Sequence, residues 1–166
     1  MKFEVASQHQ AEKRKVIYSN QEQCFDMDRS LHTDFTLMLG CAYVGLDVSL
    51  SSMEVVNISG FCPTDTWIKK TLHAPIPTRL GTIKIVSRLD LCNGTGTYLF
   101  DDADVYFDEN SGWCYIDGKM KLSPEQNVQF CENVLFSLCG NFLVGIWIHL
   151  TKGNIPKIPS RRHITN

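Results

Sequence analysis

The sequence lacks long apolar runs. No segment approaches the roughly 18 consecutive apolar residues that a membrane-spanning helix requires, and the first residues show no signal-peptide pattern. We therefore expect a cytoplasmic protein that has no membrane partner. The 166 residues, 43% hydrophobic and 20% charged, are typical of one globular domain that needs neither metal nor disulfide to hold its core.

Metal-ligand and redox spacings are also missing. The seven cysteines are scattered without a Cys-x-x-Cys pair, and no two histidines have the spacing of metal ligands. Free cysteines at apolar positions behave as small hydrophobic side chains, so we predict unreactive thiols. The sequence indicates neither a metal site nor a cofactor.

No strong excess of one charge is present. The net charge of -2 gives no general attraction to nucleic acid, and we expect no nucleic-acid partner. The charges are nevertheless unevenly distributed, because residues 89–120 contain seven acidic residues and one basic residue. Such a segment predicts either a solvated hairpin edge or a surface for a basic protein partner.

Alternating apolar and polar residues predict β-strands along most of the chain. Residues 35–39 and 44–50 alternate, and residues 53–61 are suited to return as a partner strand. Asn93-Gly94 predicts a hairpin between strands at 82–91 and 95–100, and residues 108–112 predict a longer hairpin loop. The predicted fold is mainly β: a single domain of about nine or ten antiparallel strands with short turns and little helix. These strands form a sandwich or a partly closed barrel.

Patterning and charge divide the chain into three regions. Residues 1–33 form a weakly patterned segment, with short strands at 3–5 and 16–18, that we expect to pack on the domain. Residues 34–151 form the antiparallel β domain. Residues 152–166, with four basic and no acidic side chains, form a basic tail.

Residues 128–150 carry the clearest pattern, two apolar strands joined by a tight turn at Gly140-Asn141. This turn places Phe136 opposite Gly145, whose missing side chain leaves room for the ring. It also places Glu132 opposite His149, a polar pair suited either to acid–base chemistry or to a simple cross-strand ion pair. For residues 124–138 a helix remains an alternative, because Ser123-Pro124 resembles a helix start; the β-branched and aromatic residues favour the strand.

Two segments are candidates for binding a partner. The first, the acidic turn region, consists of Asp101, Asp102, Asp104, Asp108 and Glu109. Apolar residues interrupt it, which argues against a calcium loop. The second, the Trp67 loop, contains Trp67, Lys69 and Lys70. A tryptophan in such a loop either contacts a partner or anchors the loop to the core.

Three function classes fit these features, in decreasing order of support. The first is a non-catalytic protein of inhibitor or immunity type that binds a basic protein and is a monomer or weak dimer. The second is a β-barrel that holds a small apolar ligand. The third is a hydrolase or lyase built on Glu132 and His149, or on a reactive thiol such as Cys62, although no orienting group is visibly placed beside either. A non-enzymatic role is favoured.

Overall fold

The computed structural model describes residues 1–10, 12–86, 96–151, 156 and 158. Half of the described residues lie in strands and 2% in helix. The strands are β1 (Phe3–Ser7), β2 (Val16–Ser19), β3 (Cys24–Met27), β4 (Phe35–Met38), β5 (Gly45–Ser49), β6 (Glu54–Phe61), β7 (Ile68–Lys69), β8 (Arg79–Ile85), β9 (Gly96–Tyr98), β10 (Asp104–Phe107), β11 (Trp113–Asp117), β12 (Gln126–Cys131), β13 (Val134–Cys139) and β14 (Phe142–His149). A single 3-10 turn, Thr64–Thr66, precedes β7.

All fourteen strands belong to one mixed sheet that curls into a half-barrel. Its main path runs β7-β10-β11-β14-β13-β12-β8-β6-β5-β4-β9, with β1 on β8 and the β2–β3 pair on β6. The mainly β fold is confirmed, but the expectation of nine or ten purely antiparallel strands is wrong. Three pairs are parallel, namely β7 with β10, β8 with β12 and β4 with β9. Parallel neighbours need long crossover connections, which local turn signals do not encode.

Several predicted hairpins are confirmed. Strands β4, β5 and β6 form an antiparallel meander, and β10 pairs with β11 across the loop at residues 108–112. Gly112 in that loop has a φ of 77°, a conformation that favours glycine. The predicted hairpin at Asn93-Gly94 lies outside the described residues. Its return strand nevertheless has another partner, because β9 pairs in parallel with β4 and lies at the edge of the sheet.

The segment at 128–150 contains three strands, so the prediction of two is wrong. Glu132 and Asn133 form a second tight turn that separates β12 from β13, and neither a continuous strand nor the alternative helix forms. The Gly140-Asn141 turn is confirmed, with a φ of 54° at Gly140. A β-bulge between Ser137 and Leu138 shifts the pairing by one residue for the pairs farther from this turn. Gly145 consequently faces Ser137, and Phe136 faces Ile146.

The apolar side of the half-barrel is filled by large side chains. Trp67 is 2% exposed and packs against Tyr18, Phe25 and Phe107 at ring-centroid distances of 5.0, 5.7 and 5.5 Å. Phe136, fully buried, packs against Phe130 at 5.1 Å. This packing brings side chains from β2, β3, β10, β12 and β13 into one core. Among the described residues, no helix has the length and apolarity needed to cross a membrane.

Candidate functional site

Five ring side chains in mutual contact lie on the outer face of the sheet where β10, β11 and β14 are neighbours. Tyr106 is paired with Tyr115, and Tyr115 with Trp147, so that these three rings form one cross-strand row. Their centroids are 6.5 and 4.3 Å apart. Trp113 and His149 form the next pair at 4.8 Å, and Trp113 meets Trp147 edge-on at 6.3 Å. We call these five residues the aromatic ladder; each is partly exposed.

Strand alternation explains why the ladder forms. Within β10 and β11, Val105, Phe107, Cys114 and Ile116 point into the core, so the residues between them point outward. The Trp147 indole N–H donates to the hydroxyl of Ser137 at 3.1 Å, which fixes the ring on the neighbouring strand. Ser137 in turn donates to the Asn127 side-chain oxygen at 2.6 Å. The ladder is thus held by buried polar contacts as well as by stacking.

Acidic side chains border the ladder at one end. The Tyr106 hydroxyl donates to Asp104 at 3.2 Å, and Lys119 binds both Asp102 and Asp104. Burial, with the nearby Asp117 as a smaller cause, raises the pKa of Tyr115 to about 12. Burial and Asp104 likewise raise the pKa of Tyr106. Both phenols therefore remain neutral donors at physiological pH.

The structure brings the Trp67 loop and the acidic turn region together, because β7 and β10 are neighbours. Lys69 pairs with Glu109 at 2.8 Å. The ammonium of Lys70 lies 4.6 Å from the centre of the Tyr106 ring, a cation–π contact at the end of the aromatic ladder. These lysines thus make contacts within the protein. Asp101 is exposed.

Trp67 and Asp108 are placed away from any exposed binding surface. Trp67 is buried and donates its indole N–H toward the Cys62 sulfur at 3.2 Å, so it anchors its loop to the core. Asp108 is 5% exposed and accepts N–H groups from Leu72, Asn110 and Ser111. These hydrogen bonds, that from Leu72 foremost, lower the pKa of Asp108. Asp108 therefore organises the β10–β11 loop.

Glu132 and His149 are not opposed across two strands, which corrects the sequence-based pairing. Glu132 lies in the β12–β13 turn, and the backbone N–H of His149 binds the carbonyl of Asn133. Both side chains nevertheless line one surface groove of about 190 Å³. The groove is lined by Pro75, Pro77, Trp113, Gln129, Glu132, Asn133, Val134, Leu135 and His149. We call it the Trp113 groove.

The Trp113 groove offers little for covalent catalysis. His149 Nε2 lies 3.0 Å from the backbone oxygen of Ser111, which can only accept, so Nε2 donates in this hydrogen bond. None of the groove-lining residues in the described part of the chain is a serine, threonine or cysteine. The alternative nucleophile Cys62 is fully buried. The arrangement is suited to binding.

A second surface groove, of about 280 Å³, lies beside the acidic turn region. Asp102 and Asp104 line it together with Cys41 and Thr66. Both carboxylates bind the ammonium of Lys119, whose single positive charge offsets one of their two negative charges. Within the described ranges, no group of three or more His, Cys, Asp or Glu side chains is placed to hold a metal ion.

The sequence predictions did not include the aromatic ladder. A usable signal existed, because Trp113 and Tyr115 occupy the positions of a strand whose alternate residues are apolar. The same is true of Trp147 and His149 in β14. No protein-family model matches the chain, and a search of curated proteins finds no significant match.

Proposed function

We propose that this chain is a non-catalytic protein-binding module, and that its aromatic ladder receives a basic segment of a partner protein. The observation that carries this proposal is the row of stacked, partly exposed rings from Tyr106 to Trp147. Tyrosine and tryptophan supply large contact areas at low conformational cost and are enriched where proteins bind one another.

The charges around the ladder favour a basic partner. The acids that contact the ladder, or residues beside it, or share a groove with it are Asp102, Asp104, Glu109, Asp117 and Glu132, and the bases are Lys69, Lys70 and Lys119. The acids therefore exceed the bases by two (5 − 3). Lys70 already lies against one ring of the ladder, and this contact supports further cation–π contacts along the row.

The two alternative functions have weaker support. A barrel that holds an apolar ligand needs interior space, whereas Phe107, Ile116 and Phe136 fill the apolar side of this sheet. A hydrolase that forms a covalent intermediate needs a side-chain nucleophile, and the described residues that line the groove with Glu132 and His149 include no serine, threonine or cysteine. Cytoplasmic location and a monomeric or weakly dimeric state remain expectations.

A library of random ten-residue peptides tests the proposal. We expect the purified protein to enrich peptides rich in arginine or lysine, and Trp147→Ala to abolish that enrichment. Tyr43→Ala is the matched control, because Tyr43 is 70% exposed, lies in the β4–β5 turn and is not a ladder residue. Far-UV circular dichroism checks that both variants fold. Enrichment that is unchanged in Trp147→Ala, or binding to an array of neutral glycans with no peptide enrichment, would overturn the proposal.

A further inference from the structure

The Trp113 groove holds a carboxylate without a partner. Glu132 is exposed in the β12–β13 turn, and its carboxylate has no hydrogen bond or ion pair with any other described residue. The groove lining in the described part of the chain includes no lysine or arginine. One negative charge is therefore available to a ligand that enters the groove.

The rest of the lining combines apolar side chains with the polar residues Gln129, Asn133 and His149. Trp113 is held by its contacts with His149 and Trp147, and His149 is fixed by its hydrogen bond to the carbonyl of Ser111. Pro75 and Pro77 also line the groove, and the proline ring fixes the backbone φ at both positions. A volume of about 190 Å³ lies below the range typical of whole small-molecule ligands and is suited to one side chain.

We propose that the Trp113 groove receives an arginine side chain of the partner segment that crosses the aromatic ladder. This inference rests on the proposed function, because Trp113 belongs to both the ladder and the groove. A guanidinium is planar, stacks on aromatic rings and forms two parallel hydrogen bonds with a carboxylate. It is also more weakly hydrated than an ammonium, so apolar walls of proline, valine and leucine disfavour it less. Arginine therefore fits this lining better than lysine.

Small probes test the groove directly. Nα-acetyl-arginine amide is titrated into the ¹⁵N-labelled protein, with the lysine amide and the uncharged citrulline amide as comparisons. We expect the arginine probe to shift the Trp113 indole and Gln129 side-chain signals at the lowest concentration. The lysine probe should bind more weakly, and the citrulline probe should produce no saturable shift.

Two charge-neutralising variants make the result specific. Glu132→Gln keeps the shape of the side chain and should weaken arginine binding about tenfold, because a charge-assisted hydrogen bond is lost. Glu4→Gln makes the same change in net charge on β1 and should leave binding unchanged. Equal shifts with citrulline, or arginine binding that is unaffected by Glu132→Gln, would overturn the inference.

The outcome also separates this inference from the proposed function. One outcome is that basic peptides are enriched in a Trp147-dependent manner while Glu132→Gln leaves arginine binding unchanged. That result would support the ladder as a binding face and contradict the arginine site. If the arginine probe saturates the groove while no peptide is enriched, the groove stands and the proposed function fails.

Discussion

Tyr115 occupies the space above Gly145. A β-carbon at position 145 would lie 2.4 Å from the Tyr115 hydroxyl and Cε2, far closer than atoms can approach. The same ring stacks on Trp147 at 4.3 Å. The missing side chain at Gly145 was predicted to make room for Phe136. It makes room instead for a ring on the other neighbouring strand, and so permits the aromatic ladder.

Gly145→Ala is expected to disrupt the ladder. The added methyl group forces Tyr115 away from Trp147, and we expect a loss of about 1–3 kcal/mol in the free energy of unfolding. The near-UV circular dichroism of the stacked rings should weaken in parallel. Gly96→Ala is the control, since the nearest atom to its β-carbon would be 3.4 Å away. Unchanged near-UV signals in Gly145→Ala would contradict this account of the ladder.

Asn133→Ala is expected to remove the link between β2 and the β12–β13 turn. The Asn133 side chain accepts the Val16 N–H at 2.9 Å and donates to the carbonyls of Val16 and His149 at 2.8 Å each. Its removal leaves buried backbone groups unsatisfied, and we expect a loss of about 2–4 kcal/mol, measured by urea unfolding. Asn110→Ala, at an exposed turn position, should change stability by less than about 0.5 kcal/mol. Similar losses of unfolding free energy in the two variants would contradict the stabilising role of the Asn133 hydrogen bonds.

Asp108 is expected to make stability depend on pH in the acid range. Hydrogen bonds from backbone N–H groups hold the pKa of Asp108 below its usual 3.8. The ionised form therefore stabilises the fold fully above that value, and the stabilisation is lost as the pH falls through the lower folded-state pKa. Asp108→Asn cannot titrate. Relative to Asp108→Asn, the melting temperature of the wild type should therefore decrease as the pH is lowered below about 4. It should be constant above about pH 5.

The thiols are expected to react slowly in the folded protein. Cys24 and Cys139 are partly exposed. Partial burial is the largest cause that raises the pKa of both thiols, and neighbouring carboxylates are the second cause. Burial raises the pKa of Cys131 to about 11. In a Cys92→Ser background, iodoacetamide at pH 7.5 should label Cys24 and Cys139 first, more slowly than free cysteine, and leave Cys62 unlabelled.

Peptide mapping by mass spectrometry reads out this labelling, and the denatured protein provides the control in which every thiol reacts. Rapid modification of Cys62 in the folded state would revive the catalytic hypothesis for that residue, because it would show an accessible and activated thiol.

Local features of the fold were predictable from the sequence. Alternation located β4 and β5, β-branched residues located β6, and the glycines at 112 and 140 marked two turns correctly. The Glu132-Asn133 turn was missed, because it contains no glycine or proline and interrupts a continuous apolar pattern. The β-bulge between Ser137 and Leu138 then shifted by one residue the four pairs that lie farther from the Gly140-Asn141 turn. This shift removed the predicted opposition of Glu132 and His149.

The candidate site was less predictable than the fold. The acidic turn region and the Trp67 loop were identified separately, and the parallel pairing of β7 with β10 makes them neighbours. The sequence did not decide whether the Trp67 ring is buried or exposed, because a loop tryptophan has the same sequence context in both cases. Its burial follows from aromatic residues on β2, β3 and β10, which are distant in the sequence.

By itself, the sequence determined where most strands lie and which of their residues alternate, because alternation is a property of a single strand and needs no partner. The tertiary structure alone decided which strands are neighbours. Pairing between distant segments depends on burial summed over the whole sheet and on the connections that chain geometry allows. That choice placed Tyr106, Tyr115 and Trp147 in one row, and with them the surface on which the proposed function depends.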